Sequence, residues 1–150
     1  MQLSRARLED VEAMKALLDE FARSGDLLAR PRLALYESIR DFVVAKQGSE
    51  IIGLGALHIC WIDLGEVRSL AVRRDRQRLG LGRLLVESCL EDARALGLKR
   101  VFALTYKPGF FHSLGFETVD KSSLPHKVWQ DCVHCPKFPD CDETAVTREP

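Results

Sequence analysis

Arg73-Arg74-Asp75-Arg76-Gln77-Arg78-Leu79-Gly80-Leu81-Gly82-Arg83 is the stretch on which the reading of this chain turns. It follows a β-rich run, Glu66 to Val72, and opens onto Leu84, Leu85, Cys89, Leu90 and Ala93, which are apolar at helical spacing and end near Gly97. The local order is strand, basic glycine loop, helix. Gly80 and Gly82 remove side chains where the backbone turns into the helix, and the five arginines are opposed locally only by Asp75. Main-chain N–H groups at a helix start, at the positive end of its dipole, bind phosphate oxygens, and glycine lets the ligand approach closely. The loop is therefore a candidate anion cradle, although a solvated charged turn with a glycine-permissive helix entry accounts for the same residues. It lacks the Lys-Ser/Thr ending of a nucleotide P-loop, and its surroundings do not read as the parallel unit of a dinucleotide fingerprint, so ATP and NAD are disfavoured.

Val11, Met14, Leu17, Leu18 and Phe21 predict an amphipathic helix from Leu8 that stops at Gly25. A short helix is expected over Leu33 to Ile39, after the Arg30-Pro31-Arg32 turn. Phe42 to Ala45 and Ile51 to Ile62, separated by Gly48-Ser49, read as a hairpin, and Glu66 to Val72 continues the same antiparallel sheet. Val101 to Leu104 reads as a buried strand, Phe110 to Leu114 as a brief helix closed by Gly115, and Phe116 to Val119 as a strand. Asp120 to Pro150 holds four of the six prolines and three of the five cysteines and is expected to be irregular and draped on the surface. The composition agrees with one mixed domain: 150 residues, 46% hydrophobic, with 22 basic residues cancelling 22 acidic ones. That balance offers no global positive field for nucleic acid, so any anion site is local. No apolar run suits a membrane span or a secretory signal, which predicts a cytoplasmic protein without a membrane partner.

The motif Gln77-Arg78-Leu79-Gly80-Leu81-Gly82, at the head of a long helix after the fourth strand, resembles the acyl-CoA signature of the GNAT N-acetyltransferase superfamily. Phe110-Phe111-His112-Ser113-Leu114-Gly115-Phe116 resembles that superfamily's late helix-to-strand turn, and the order of elements agrees to about residue 120. The resemblance implies an α+β fold with a central, mainly antiparallel twisted sheet flanked by helices. It divides the chain into an acetyltransferase domain, residues 1–120, and a Cys/Pro-rich extension, residues 121–150, packed on the same domain. It further implies acetyl-CoA as cosubstrate, with the main chain of Gln77, Arg78, Leu79, Gly80, Leu81, Gly82 and Arg83 holding the pyrophosphate. Leu70, Ala71 and Val72 form the strand beside the cofactor, and Leu70 and Val72 pair edgewise with the pantetheine amides. Such sheets often pair through exposed edges, which allows a homodimer.

Within the superfamily three stretches are similar to bacterial N-acetylglutamate synthases, the amino-acid N-acetyltransferases that open arginine biosynthesis. These are Leu27-Leu28-Ala29-Arg30-Pro31-Arg32, Gly65-Glu66-Val67-Arg68-Ser69-Leu70-Ala71-Val72, and Leu104-Thr105. The resemblance implies a small amino-acid acceptor, L-glutamate, with Leu28, Arg30, Arg32 and Ser69 around it and Glu66 and Thr105 in catalysis. An arginine can hold the acceptor carboxylate through two parallel charged hydrogen bonds. Arg30 is the choice and Arg32 the near alternative; both could equally be exposed charges flanking a proline turn. Glu66 could take a proton from the ammonium, directly or through water, or be an ordinary solvent-facing strand residue. Thr105 could hydrogen-bond the sulfur. Where many members of the superfamily carry a tyrosine this chain has Phe111, and Tyr106, next to Thr105, is expected to point to the opposite face.

Cys132, Cys135 and Cys141 form a C-x₂-C-x₅-C cluster whose first pair suits tetrahedral zinc, but a fourth ligand is poorly supplied, and no metal is required by the reading. Cys60 and Cys89 are expected in the core. Two other functions remain open at this stage: acetyl transfer to another small amine or a protein amino group, and a non-catalytic acyl-CoA-binding or metal-stabilised interaction module.

Overall fold

The computed structural model describes residues 1–125 and 142–150. In chain order the elements are β1 (Gln2–Arg5), α1 (Val11–Arg23), α2 (Arg32–Glu37), β2 (Phe42–Gln47), β3 (Glu50–Trp61), β4 (Leu64–Val72), α3 (Leu81–Leu96), β5 (Arg100–Thr105), α4 (Pro108–His112), β6 (Glu117–Val119) and β7 (Thr144–Arg148), with short 3-10 turns between several of them. The strands form one sheet in the order β1-β2-β3-β4-β5-β7-β6. Four of its pairings, β1 with β2, β2 with β3, β5 with β7 and β6 with β7, are antiparallel, and β4 with β5 is parallel. The chain divides into two compact units.

The first unit comprises Met1–His58 and Val67–Asp92. Val11, Met14, Leu17, Leu18 and Phe21 of α1 are all buried, as their spacing predicts, and pack with Leu35, Phe42, Val44, Ile51, Leu54, Ala56 and Ala71. Ile51 and Leu54, three apart, share that core because the pairing passes from Ala45↔Gly53 to Lys46↔Ile51 and leaves Ile52 as an extra residue on β3. Such a bulge reverses the alternation of faces. The first turns of α3 come close to β3: a Cβ on Gly53 would lie 3.1 Å from Leu85 Cδ1 and 3.3 Å from Leu81 Cδ2, and one on Gly55 would lie 3.2 Å from Leu70 Cδ1. Glycine inside a strand here marks close approach of a helix.

The second unit comprises Ile59–Glu66 and Ala93–Pro150. Its small core joins Leu64, Phe102, Leu124 and Ala145, with Cys60, Leu104 and Val119 against them. Phe111 stacks edge-on with Phe110 and Phe116, both at 5.1 Å between ring centres. The helix α3 ends as its sequence predicts, at Gly97 (φ 80°), where the N–H groups of Gly97 and Leu98 return to Arg94 O and Ala93 O.

Two sequence expectations are corrected here. Residues 144–148 are not an irregular surface segment: β7 lies between β5 and β6, pairing Val101↔Arg148 through Thr105↔Thr144 on one side, and its Ala145 and Val146 are fully buried. The run Thr144-Ala145-Val146-Thr147 does have strand character, but five residues beside a proline- and cysteine-rich stretch carry too little periodicity to stand out. The glycine loop also does sit in a parallel unit, since β4 and β5 pair in parallel over Leu64↔Arg100 to Glu66↔Phe102. The alternating burial along β4 resembles that of a half-exposed antiparallel strand, which conceals its direction of pairing.

Candidate active site

Folding commits three of the five loop arginines to carboxylates that lie outside the loop. Arg73 donates to Asp75 at 2.7 and 3.0 Å and to Glu50 at 3.0 Å. These bonds, that to Asp75 foremost, raise the Arg73 pKa beyond the usual arginine value, and the Arg73 bond in turn holds the Asp75 carboxyl below its ordinary range. Arg74 lies 4.6 Å above the Phe21 ring, donates to Ser24 Oγ at 2.9 Å, and faces Glu20 and Asp26 at 3.7 and 3.6 Å. Arg83 pairs with Glu87 one helical turn on, at 3.1 Å. Asp75 is the only acid within the loop, but the fold adds acids from α1, the segment after it, the start of β3 and α3, which a sequence window cannot show. Arg76 and Arg78 form no ion pair among the described residues, and Arg76 Nε is buried there without a hydrogen-bond partner.

The loop backbone is strongly shaped. Gly80 (φ 83°) and Arg78 (φ 66°) are both left-handed, the first at no steric cost and the second against the preference of its side chain. The Gln77 side-chain amide donates to Val72 O at 3.0 Å and fastens the loop to the end of β4. The helical ladder begins with Leu84 N–H bonded to Gly80 O, so the N–H groups of Leu81, Gly82 and Arg83 lie ahead of it. Leu81 is buried and anchors the helix start, whereas Leu79 is 73% exposed. Leu70 and Val72 are half-buried along β4, and Ala71 is a core residue.

In the same unit the segment from Ser24 to Pro31, which has no helix or strand, delivers Arg30. Arg30 Nε donates to Ser69 Oγ at 3.2 Å, and Arg30 O accepts from Lys15 Nζ at 3.0 Å. Arg32 has a different fate: its Nε and Nη2 donate to the two carboxylate oxygens of Glu12 at 2.6 and 3.1 Å, which depresses the Glu12 pKa. The bond between Arg30 and Ser69 brings together two predicted site residues 39 positions apart. Ser69 is buried and left-handed (φ 56°) in the middle of β4. No sequence signal announces that conformation at a serine, which costs about 1–3 kcal/mol and persists only where the surroundings impose it. Leu28, within this segment, is exposed. Lys15 was missed as well, because its partner is a main-chain carbonyl.

In the second unit Glu66 is half-buried on β4, in register with Phe102. Thr105 Oγ1 accepts from Lys107 N at 2.8 Å, which orients the hydroxyl and leaves its hydrogen to donate elsewhere. The strand β5 ends at Thr105, so strand alternation does not govern Tyr106; its hydroxyl donates to Asp142 at 2.7 Å. Phe111 is buried in the aromatic group. Among the described residues no group of three or more His, Cys, Asp or Glu side chains is placed to hold a metal. Cys132, Cys135 and Cys141 lie outside them. No helix among them is long and apolar enough to cross a membrane.

Residues 11–116 match the acetyltransferase (GNAT) family. The chain is 38% identical, over 95% of its length and 92% of the relative's, to an uncharacterised N-acetyltransferase of Chlorobaculum tepidum. It is also 38% identical to an amino-acid acetyltransferase of Mycobacterium tuberculosis, over 85% of this chain and 74% of that one. A crystal structure of N-acetylglutamate synthase from Neisseria gonorrhoeae, complexed with coenzyme A and N-acetyl-glutamate, superposes with a TM-score of 0.90 at 27% identity. That alignment covers 99% of this chain and 34% of the synthase. A left-handed glycine loop heading a helix, a seven-stranded mixed sheet and these relatives lead to one assignment: the chain belongs to the acetyltransferase (GNAT) family and is an acetyl-CoA-dependent N-acetyltransferase.

Proposed function

We propose that the enzyme acetylates the α-amino group of an amino acid, with L-glutamate as the acceptor, and so carries out N-acetylglutamate synthesis for arginine biosynthesis in the cytoplasm. The observation that carries this reading is the bond from Arg30 Nε to Ser69 Oγ. It fastens a guanidinium from an irregular segment to the residue immediately before Leu70, Ala71 and Val72, the stretch assigned to acetyl-CoA. A guanidinium can hold a carboxylate through two parallel charged hydrogen bonds. Arg32 is directed to Glu12 by two hydrogen bonds and Arg30 to Ser69, and the task is assigned to Arg30. The amino-acid acetyltransferase and N-acetylglutamate synthase relatives support the same substrate class.

On this reading the N–H groups around Gly80 to Arg83 take the pyrophosphate, and the buried, unsatisfied Arg76 Nε favours an anion at the loop. The acceptor amine, after losing a proton to Glu66, attacks the thioester carbonyl carbon. A main-chain N–H near Leu70 to Val72 steadies the oxyanion, the C–S bond breaks, CoA leaves as thiolate with Thr105 donating toward the sulfur, and the new amide nitrogen gives up its extra proton, which the thiolate takes up directly or through water. Holding amine and thioester in line supplies about 7 kcal/mol or more of the acceleration, and proton transfer adds about 10²-fold. CoA release with L-glutamate, other L-amino acids and amines lacking the α-carboxylate tests the assignment. Turnover that requires the α-carboxylate and is greatest with glutamate supports it; turnover confined to carboxylate-free amines overturns it.

A further inference from the structure

Residues 24–31 carry Arg30 without a helix or strand to hold them, so its placement depends on a few side-chain bonds. Two of these come from one stripe of α1, where Glu12, Lys15 and Asp19 follow at intervals of three and four. Glu12 takes Arg32, but both side chains are more than half exposed, and a solvated pair of that kind holds weakly. Lys15 is different. Its side chain is only 18% exposed, its Nζ donates to Arg30 O at 3.0 Å, and Asp19 at 3.2 Å balances its charge. The carbonyl it holds belongs to a residue restricted to extended conformations by the following Pro31, whose own carbonyl accepts from Leu35 N at the start of α2. Fixing that one oxygen therefore fixes the main chain from which the Arg30 side chain reaches Ser69.

We propose that Lys15 is a positioning residue for the acceptor site, which sets the reach of Arg30 without touching either substrate. The inference rests on the reading of Arg30 as the carboxylate-holding group. With L-glutamate as acceptor, Lys15→Met should raise the acceptor KM about tenfold, the weight of one charge-assisted hydrogen bond. The acetyl-CoA KM should stay unchanged, and Lys15→Arg, which keeps a donor, should restore most of the loss. Because Lys15 acts through Arg30, adding Lys15→Met to Arg30→Ala should raise the acceptor KM no further than Arg30→Ala alone.

The outcomes separate the two ideas. If Arg30→Ala raises the acceptor KM and neither Lys15→Met nor Lys15→Gln does, the positioning role is overturned and the reading of Arg30 survives. If Lys15→Met multiplies the KM equally with and without Arg30, Lys15 acts independently and the proposal is again overturned. An unchanged acceptor KM in Arg30→Ala overturns the carboxylate assignment and this proposal with it. Equal rises in both substrates' KM for Lys15→Met mark general damage to the fold and count against the proposal.

Discussion

At Glu66, Arg30 and Cys89 the same question arises: what does the surrounding protein make of an ordinary side chain? Glu66→Gln keeps the shape and removes the base, so kcat/KM for glutamate should fall about 10²-fold. The deficit should be deepest at low pH, where the acceptor is most protonated, and should narrow as pH rises. A pH–rate profile identical to that of the unaltered enzyme would remove Glu66 from the mechanism. Cys89 shows the opposite use of an ionisable group. Burial foremost, then the charge of Asp92, push its thiol from an ordinary 9.0 up to about 12. At pH 8 it is a neutral core group that should resist an alkylating reagent until the protein unfolds, as mass spectrometry would show. Between pH 9 and 12 the unfolded chain releases this proton while the native one keeps it, so stability should fall as pH rises through that window. Cys89→Ala should flatten that slope. The apolar spacing around Cys89 made its burial legible, whereas the bond between Arg30 and Ser69 was not, because no local pattern links positions 39 apart.

Among the elements, α3 and the loop ahead of it show how packing sets chemistry. The helix start is seated over Gly53, with Leu81 and Leu85 filling the space that a side chain there would need. Gly53→Ala places a Cβ 3.1 Å from Leu85 Cδ1 and 3.4 Å from Ala71 O, an overpacking that should cost about 1–3 kcal/mol. The melting temperature should drop by roughly 2–10 °C, and the acetyl-CoA KM should rise as Leu81 is pushed from its seat. An unchanged melting temperature would mean that the helix has room to yield. The helical periods of α1 and α3, their glycine stops and the β2–β3 hairpin could all be read directly, because each signal lies within one window of sequence. Direction of pairing could not: β4 and β5 are parallel over three residue pairs, too few to leave the continuous apolar run of a doubly covered strand. Nor could the partners of Arg73 and Arg74, since charge counted along a loop omits the acids that tertiary structure brings to it.

For the whole molecule the most consequential correction is the last strand. With β7 between β5 and β6, the sheet is completed by the final residues of the chain, and their removal would strip partners from two strands at once. A chain ending at Glu143 should therefore be insoluble or lack a cooperative thermal transition; a folded, active truncated protein would show that β7 is dispensable. The central proposal for the rest of the architecture is that the helix-heading loop at the end of β4 holds the diphosphate of acetyl-CoA. Calorimetric titration of the intact protein with CoA tests that claim most directly. Saturable binding at one site per chain is expected, weakening as salt screens the anion. Affinity should fall clearly in Gly80→Val, where a β-branched side chain must adopt φ near 83°. Absence of binding at modest salt, or binding that Gly80→Val leaves untouched, would contradict it.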